Sequence, residues 1–177
     1  EALKAAQEAL KEVFDIIDKT NTFIIDKIIE GSDDEANQIK EAYKMIDDAK
    51  NQVIKANSAV RKLSNQKDLL AQIDYANEQI DLSEDNIDVK EAVRLVTIAS
   101  SSVLNAKTEE DKSKARLDIA AARRAIDKIG HNNNKDIKKT ILNTINSIEK
   151  KLTSDNDQEL IDEAVDAVNA AADLLAK

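Results

Sequence analysis

The sequence predicts an all-α protein: an elongated, mostly antiparallel multi-helix bundle of about seven helices. Three observations carry this expectation. Apolar residues recur in steps of three and four along most of the 177 residues. Two Gly and no Pro leave few places for hairpins or long coil. Aromatics are only 2% of a chain that is 42% hydrophobic and 34% charged, so the interior must be Ile, Leu, Val and Ala, as in long helices.

The pattern is clearest from Glu35 to Leu63. Its seam reads Ile39, Ala42, Ile46, Ala49, Val53, Ala56, Val60 and Leu63, with no slip in the three-four alternation. At about 1.5 Å per residue such a helix spans roughly 40–45 Å. It cannot bury its seam alone, so other helices must pack on it.

The remaining elements follow in order. Residues 2–30 form a first helix, amphipathic at Leu3, Ala6, Leu10, Val13 and Ile17. In its second half Phe14, Ile16, Ile17, Phe23, Ile24, Ile25, Ile28 and Ile29 spread over most of the circumference, which predicts the most buried segment of the chain. Gly31 ends it as a left-handed residue, and Ser32-Asp33-Asp34-Glu35 has capping-box spacing. After a break at Ser64-Asn65, a short third helix carries Leu69, Ile73, Ala76 and Ile80. The acidic stretch Ser83 to Asp88 reads as another break, with Asp85 and Asn86 as caps. A fourth helix carries Val89, Ala92, Val96, Ala99, Val103 and Ala106. Thr108 to Asp111 caps a fifth on Ala115, Ile119, Ala122, Ile126 and Ile129, ended by Gly130. Asn134 caps a sixth on Ile137, Ile141, Ile145, Ile148 and Leu152. The seventh carries Ile161, Ala164, Val168, Ala171 and Leu175. Alanine at alternate layers lets helix axes approach toward the low end of the usual 8–10 Å.

All of 1–177 reads as a single helical-bundle domain. A weak internal repeat divides it further into units 32–107 and 108–177, with helix 2–30 docked on them. Ser32-x-x-Glu35 and Thr108-x-x-Asp111 open the units, and Glu91-Ala92-Val93-x-x-Val96 matches Glu163-Ala164-Val165-x-x-Val168 near their ends.

Composition narrows the function classes. A net charge of −9 and a pI near 4.8 oppose binding to a phosphate backbone. The basic pairs Arg123-Arg124, Lys138-Lys139 and Lys150-Lys151 point about 100° apart within each pair and make no basic face. With no Cys there is no disulfide, thiolate zinc site or cysteine nucleophile. No stretch approaches the roughly 18 apolar residues of a membrane span. No signal peptide is recognisable, and Glu1 lies directly in a helical pattern, which reads as a trimmed chain or mature fragment.

No candidate catalytic constellation emerges, and no cofactor or metal is expected. His131 is the single histidine, in a loop-like Gly-His-Asn-Asn setting without partner ligands. Ser100-Ser101-Ser102 lacks a base and reads as a helix face whose hydroxyls bond back to carbonyls. The acidic Asp33-Asp34-Glu35 group lacks the EF-hand order and reads as capping. Tyr43 and Tyr75 read as rim-of-core residues, although exposed aromatics are also what protein-binding patches centre on.

Two segments give the chain a recognisable texture: Asn132-Asn133-Asn134-Lys135-Asp136-Ile137-Lys138-Lys139 and Lys150-Lys151-Leu152-Thr153-Ser154-Asp155-Asn156. Rich in Lys, Ile, Asn and Asp and lacking Pro and Trp, the chain resembles the helical outer-surface lipoproteins of Borrelia-type spirochaetes. That resemblance implies a compact bundle held at the bacterial cell surface by a lipid anchor on the outer membrane. It also implies an antigen or adhesin that binds a host protein, such as a complement regulator or matrix component, as monomer or weak dimer. The lipidated Cys and tether of that family are not in this sequence. The alternative is an intracellular or phage-type scaffold, cytoplasmic, whose heptad seams pair with another chain.

Overall fold

The computed structural model describes residues 1–29, 34–130, 134–153 and 158–175, without side-chain detail at 28, 29, 158–164, 174 and 175. Among these residues there are six α-helices, one π-helical segment and no strand. They are α1 (Ala2–Phe23), the π-helical Ile24–Ile29, α2 (Glu35–Val60), α3 (Lys67–Leu104), α4 (Glu109–Lys128), α5 (Lys135–Thr153) and α6 (Gln158–Leu175). Gly31, Ser32 and Asp33, expected to end one helix and cap the next, lie outside the described residues, as do His131 and residues 154–157.

Two compact units divide the chain at Ile87 and Asp88. The boundary falls within α3, whereas the repeat placed its unit boundary between 107 and 108.

In residues 1–87, α1, α2 and the first part of α3 enclose one aliphatic core. Seven of the eight seam positions expected on α2 are buried, from Ile39 to Val60, and Leu63 is half-buried beyond the helix end. Each fully buried Ile removes enough apolar area from water to contribute on the order of 2–3 kcal/mol. Alanines 42, 49 and 56 alternate with the large residues, and α1 and α2 accordingly come within 8 Å, Cα to Cα. Gln66 closes the turn after α2: its Nε2 donates to the carbonyls of Leu63 (2.7 Å) and Arg61 (3.1 Å), which the helix end leaves unpaired.

The second half of the first helix is not the most buried segment. Phe14, Ile16 and Phe23 are half-buried and Ile25 is 56% exposed, while Ile17, Thr20 and Ile24 face the core. The seam simply continues through Thr20, whose hydroxyl donates to the Ile16 carbonyl (2.6 Å). Leu3 likewise falls outside the buried stripe.

The expected break at Ser83 to Asp88 is absent, and the third and fourth expected helices are one helix of 38 residues. None of the six residues is Gly or Pro, and Ser, Asp and Asn cost only a few tenths of a kcal/mol each in a helix interior. Ser83 is a seam residue: Ile80, Ser83 and Ile87 keep the three-four spacing and all are buried. Its hydroxyl donates to Oδ1 of Asn21 on α1 at 2.6 Å. Glu84 pairs with Lys50 on α2 at 2.5 Å. The next seam starts at Val89 and continues through Ala92, Val96, Ala99 and Val103.

In residues 88–177 that second seam, α4, α5 and α6 enclose a separate core. Ile141, Ile145 and Ile148 of α5 share this core with alanines of α3, α4 and α6, and α5 is within 8 Å Cα to Cα of both α4 and α6. Large residues opposite small ones give this close packing. Thr108 makes the expected capping box: its Oγ1 accepts from the Asp111 N–H, and Asp111 Oδ2 accepts from the Thr108 N–H, both at 3.1 Å. At the other end α4 stops at Lys128, with Ile129 extended ahead of Gly130, and Lys138 Nζ donates to the Ile129 carbonyl (3.1 Å).

Candidate functional site

Four places in the described structure bring functional groups or accessible apolar surface together. The first is the serine tract. Ser102 donates to Asp118 of α4, and Lys114 bridges Asp118 (3.4 Å) and Ser102 (3.5 Å). The expected back-bonding to carbonyls is not what the tract does. Thr97 makes that bond instead, to the Val93 carbonyl at 2.9 Å. Ser100 turns into the core at 1% exposure, and its hydroxyl has no hydrogen-bond partner. Lys114 and Asp118 sit at the edge of the helix pair, so the cluster ties α3 to α4 across their solvent-facing flank.

The second is the set of charged capping and bridging groups. Backbone N–H groups of Lys107 and Thr108 hold the Asp111 carboxyl below the usual carboxylate range. The bond to Glu84 holds the Lys50 ammonium above the usual lysine range. Arg123 donates to Asn146 and to Glu149, joining α4 to α5. Arg94 lies in two parallel bonds to Glu91 at 2.8 and 2.9 Å. Each interaction accounts for its charges as packing and capping. No group of three or more His, Asp or Glu suited to a metal ion occurs among the described residues, nor is any described helix long and apolar enough to cross a membrane.

The third is a groove of about 270 Å³ between α5 and α6, lined by Asp136, Ile137, Thr140, Ala167, Ala170 and Ala171. It exists because three alanines of α6 leave the space opposite Ile137 unfilled. The Thr140 hydroxyl is already committed to the Asp136 carbonyl at 3.0 Å. The groove is smaller than the roughly 300–1,000 Å³ usual for ligand sites and has no converging polar groups.

The fourth is the flank where α1 meets α3. Tyr43 is half-buried against the first core, as expected, but Tyr75 is 54% exposed. Its ring lies against Phe14 of α1, with centroids 6.0 Å apart and planes tilted by 38°. Seven residues further along α1 and eight further along α3, Asn21 and Ser83 are hydrogen-bonded, so the two helices run side by side here. Tyr75, Glu78 and Leu82 are spaced three and four apart on α3 and share one stripe. Glu78 is exposed and Leu82 is 39% exposed, and Ile25 lies one turn beyond Asn21. An aromatic pair and a leucine, held by two packed helices, form an apolar strip with an acid in its middle.

The sequence marked Tyr75 but missed the strip. The signal available was Leu82, an apolar residue off the seam and seven positions from Tyr75. The acidic stretch Ser83 to Asp88 that follows it masks that spacing.

The two units differ sharply in charge. Residues 1–87 hold 19 Asp and Glu against 11 Lys and Arg, a formal −8, which leaves −1 of the total −9 for residues 88–177. Comparison with protein-family models, curated proteins and solved structures found no match.

Proposed function

We propose that this chain is a non-enzymatic bacterial surface protein, lipid-anchored in its full form, that binds a host protein through a helix face. The observation carrying the reading is the strip at the α1–α3 junction. Tyr75 and Leu82 are large, exposed and held on rigid helices, and binding hot spots favour such aromatic anchors because few rotamers are lost on docking. The polar clusters elsewhere in the described structure are accounted for by caps and helix-to-helix bridges, which supports recognition over catalysis. The surface location rests on the resemblance in composition to spirochaetal outer-surface lipoproteins.

The test is capture of host serum and matrix proteins on the immobilised chain, followed by surface plasmon resonance of each captured protein. A saturable binder that Tyr75→Ala weakens supports the reading. No binder above background contradicts it. So does concentration-dependent assembly by light scattering that Tyr75→Ala abolishes, because the strip would then join copies of the chain as in a scaffold.

A further inference from the structure

Resting on that reading, we infer that the α1–α3 strip takes a basic amphipathic segment of the partner, an apolar–cation–apolar stripe laid against Tyr75, Glu78 and Leu82. The pattern on α3 dictates this complement. Tyr75 and Leu82 are about two helical turns apart and offer two apolar contacts, and Glu78 stands between them with its carboxylate exposed. An apolar segment without a cation would desolvate Glu78 unpaired, which is costly. An acidic segment would add like-charge repulsion at close range. A Lys or Arg placed between two apolar residues at helical spacing satisfies all three positions.

The surrounding charge favours the same partner. The unit carrying the strip has a formal charge of −8. Its field attracts cationic segments and accelerates their encounter at low salt. The same field repels a second copy of this acidic unit and repels an anionic lipid surface. Charge therefore selects among the occupants an exposed apolar strip could otherwise accept.

The experiment is selection of a displayed library of helical peptides, unbiased in charge, on the full chain. Affinities of the enriched peptides are then measured at low and high salt. The expected result is enrichment of net-positive peptides carrying a Lys or Arg between two apolar residues three and four apart. Their affinity should fall at least about tenfold with salt and about tenfold in each of two variants, Tyr75→Ala/Leu82→Ala and Glu78→Lys. All three residues are exposed, and circular dichroism checks that each variant keeps its helix content.

Neutral or acidic enriched peptides, affinity untouched by both variants, or no enrichment would each overturn the inference. Self-association, or binding to anionic vesicles, that the same variants abolish would overturn it as well. The outcome is separable from the broader reading. A serum protein bound without regard to salt or to Glu78 leaves host-protein binding standing and removes only the basic partner.

Discussion

At the residue scale the structure turns on side chains whose hydrogen bonds decide local geometry. Thr108 satisfies an orphan donor at the start of α4, so Thr108→Ala should cost about 1 kcal/mol, read as a lower denaturation midpoint. Asp111 adds a pH dependence. Its carboxyl is held below its unfolded range by the backbone N–H groups of Lys107 and Thr108. Its contribution is therefore present above the unfolded carboxylate range and is lost as pH falls through the lower folded value. Asp111→Asn should be less stable than the parent near neutrality, with the gap closing on acidification in paired thermal melts. Both roles were legible in the sequence because Thr-x-x-Asp ahead of an apolar run has one dominant local solution. Ser83 was not legible. A serine between Glu and apolar positions looks like a break, and its true role depends on Asn21, sixty-two residues away, accepting its hydroxyl proton.

At the element scale the decisive feature is α3, which stays helical through Ser83 to Asp88 and carries one buried seam ending at Ile87 and another starting at Val89. Period alone finds both seams, but the acidic composition of Ser83 to Asp88, with Asp85 and Asn86 as cap residues, points to a break that the helix does not make. The steps on either side were regular, and only the burial of Ser83 shows the first seam reaching Ile87. Two substitutions at half-buried Asn86 separate the alternatives by sign. In a continuous helix Asn86→Ala is neutral or stabilising by up to about 0.7 kcal/mol and Asn86→Pro costs about 3 kcal/mol. In a capped loop the alanine would destabilise and the proline would be tolerated; chemical denaturation reads both. The fully apolar look of residues 14–29 misled for a related reason. Hydrophobicity around a helix predicts burial only where neighbours exist on every side, and Ile25 is 56% exposed.

At the scale of the whole molecule, two aliphatic cores hold the helices, and the proposed recognition falls to the faces outside them. Core positions should be intolerant: Ile46→Ala and Ile145→Ala, one in each unit, should each cost about 2–5 kcal/mol by denaturant unfolding. The bundle class and nearly every seam residue of α2, α4 and α5 could be read from spacing, since burial follows the helical period. The strip could not, because it is assembled from α1 and α3, and its members are the apolar residues that fall off the seams. The uneven charge was also invisible until the division at Ile87 supplied the bounds over which to count it. The most direct test of the account is an NMR titration of the full chain with a host protein or peptide that it binds. Shifts centred on Phe14, Ile25, Tyr75, Glu78 and Leu82 are the expected result, and shifts confined to the α5–α6 groove or to the remainder of residues 88–177 would contradict it.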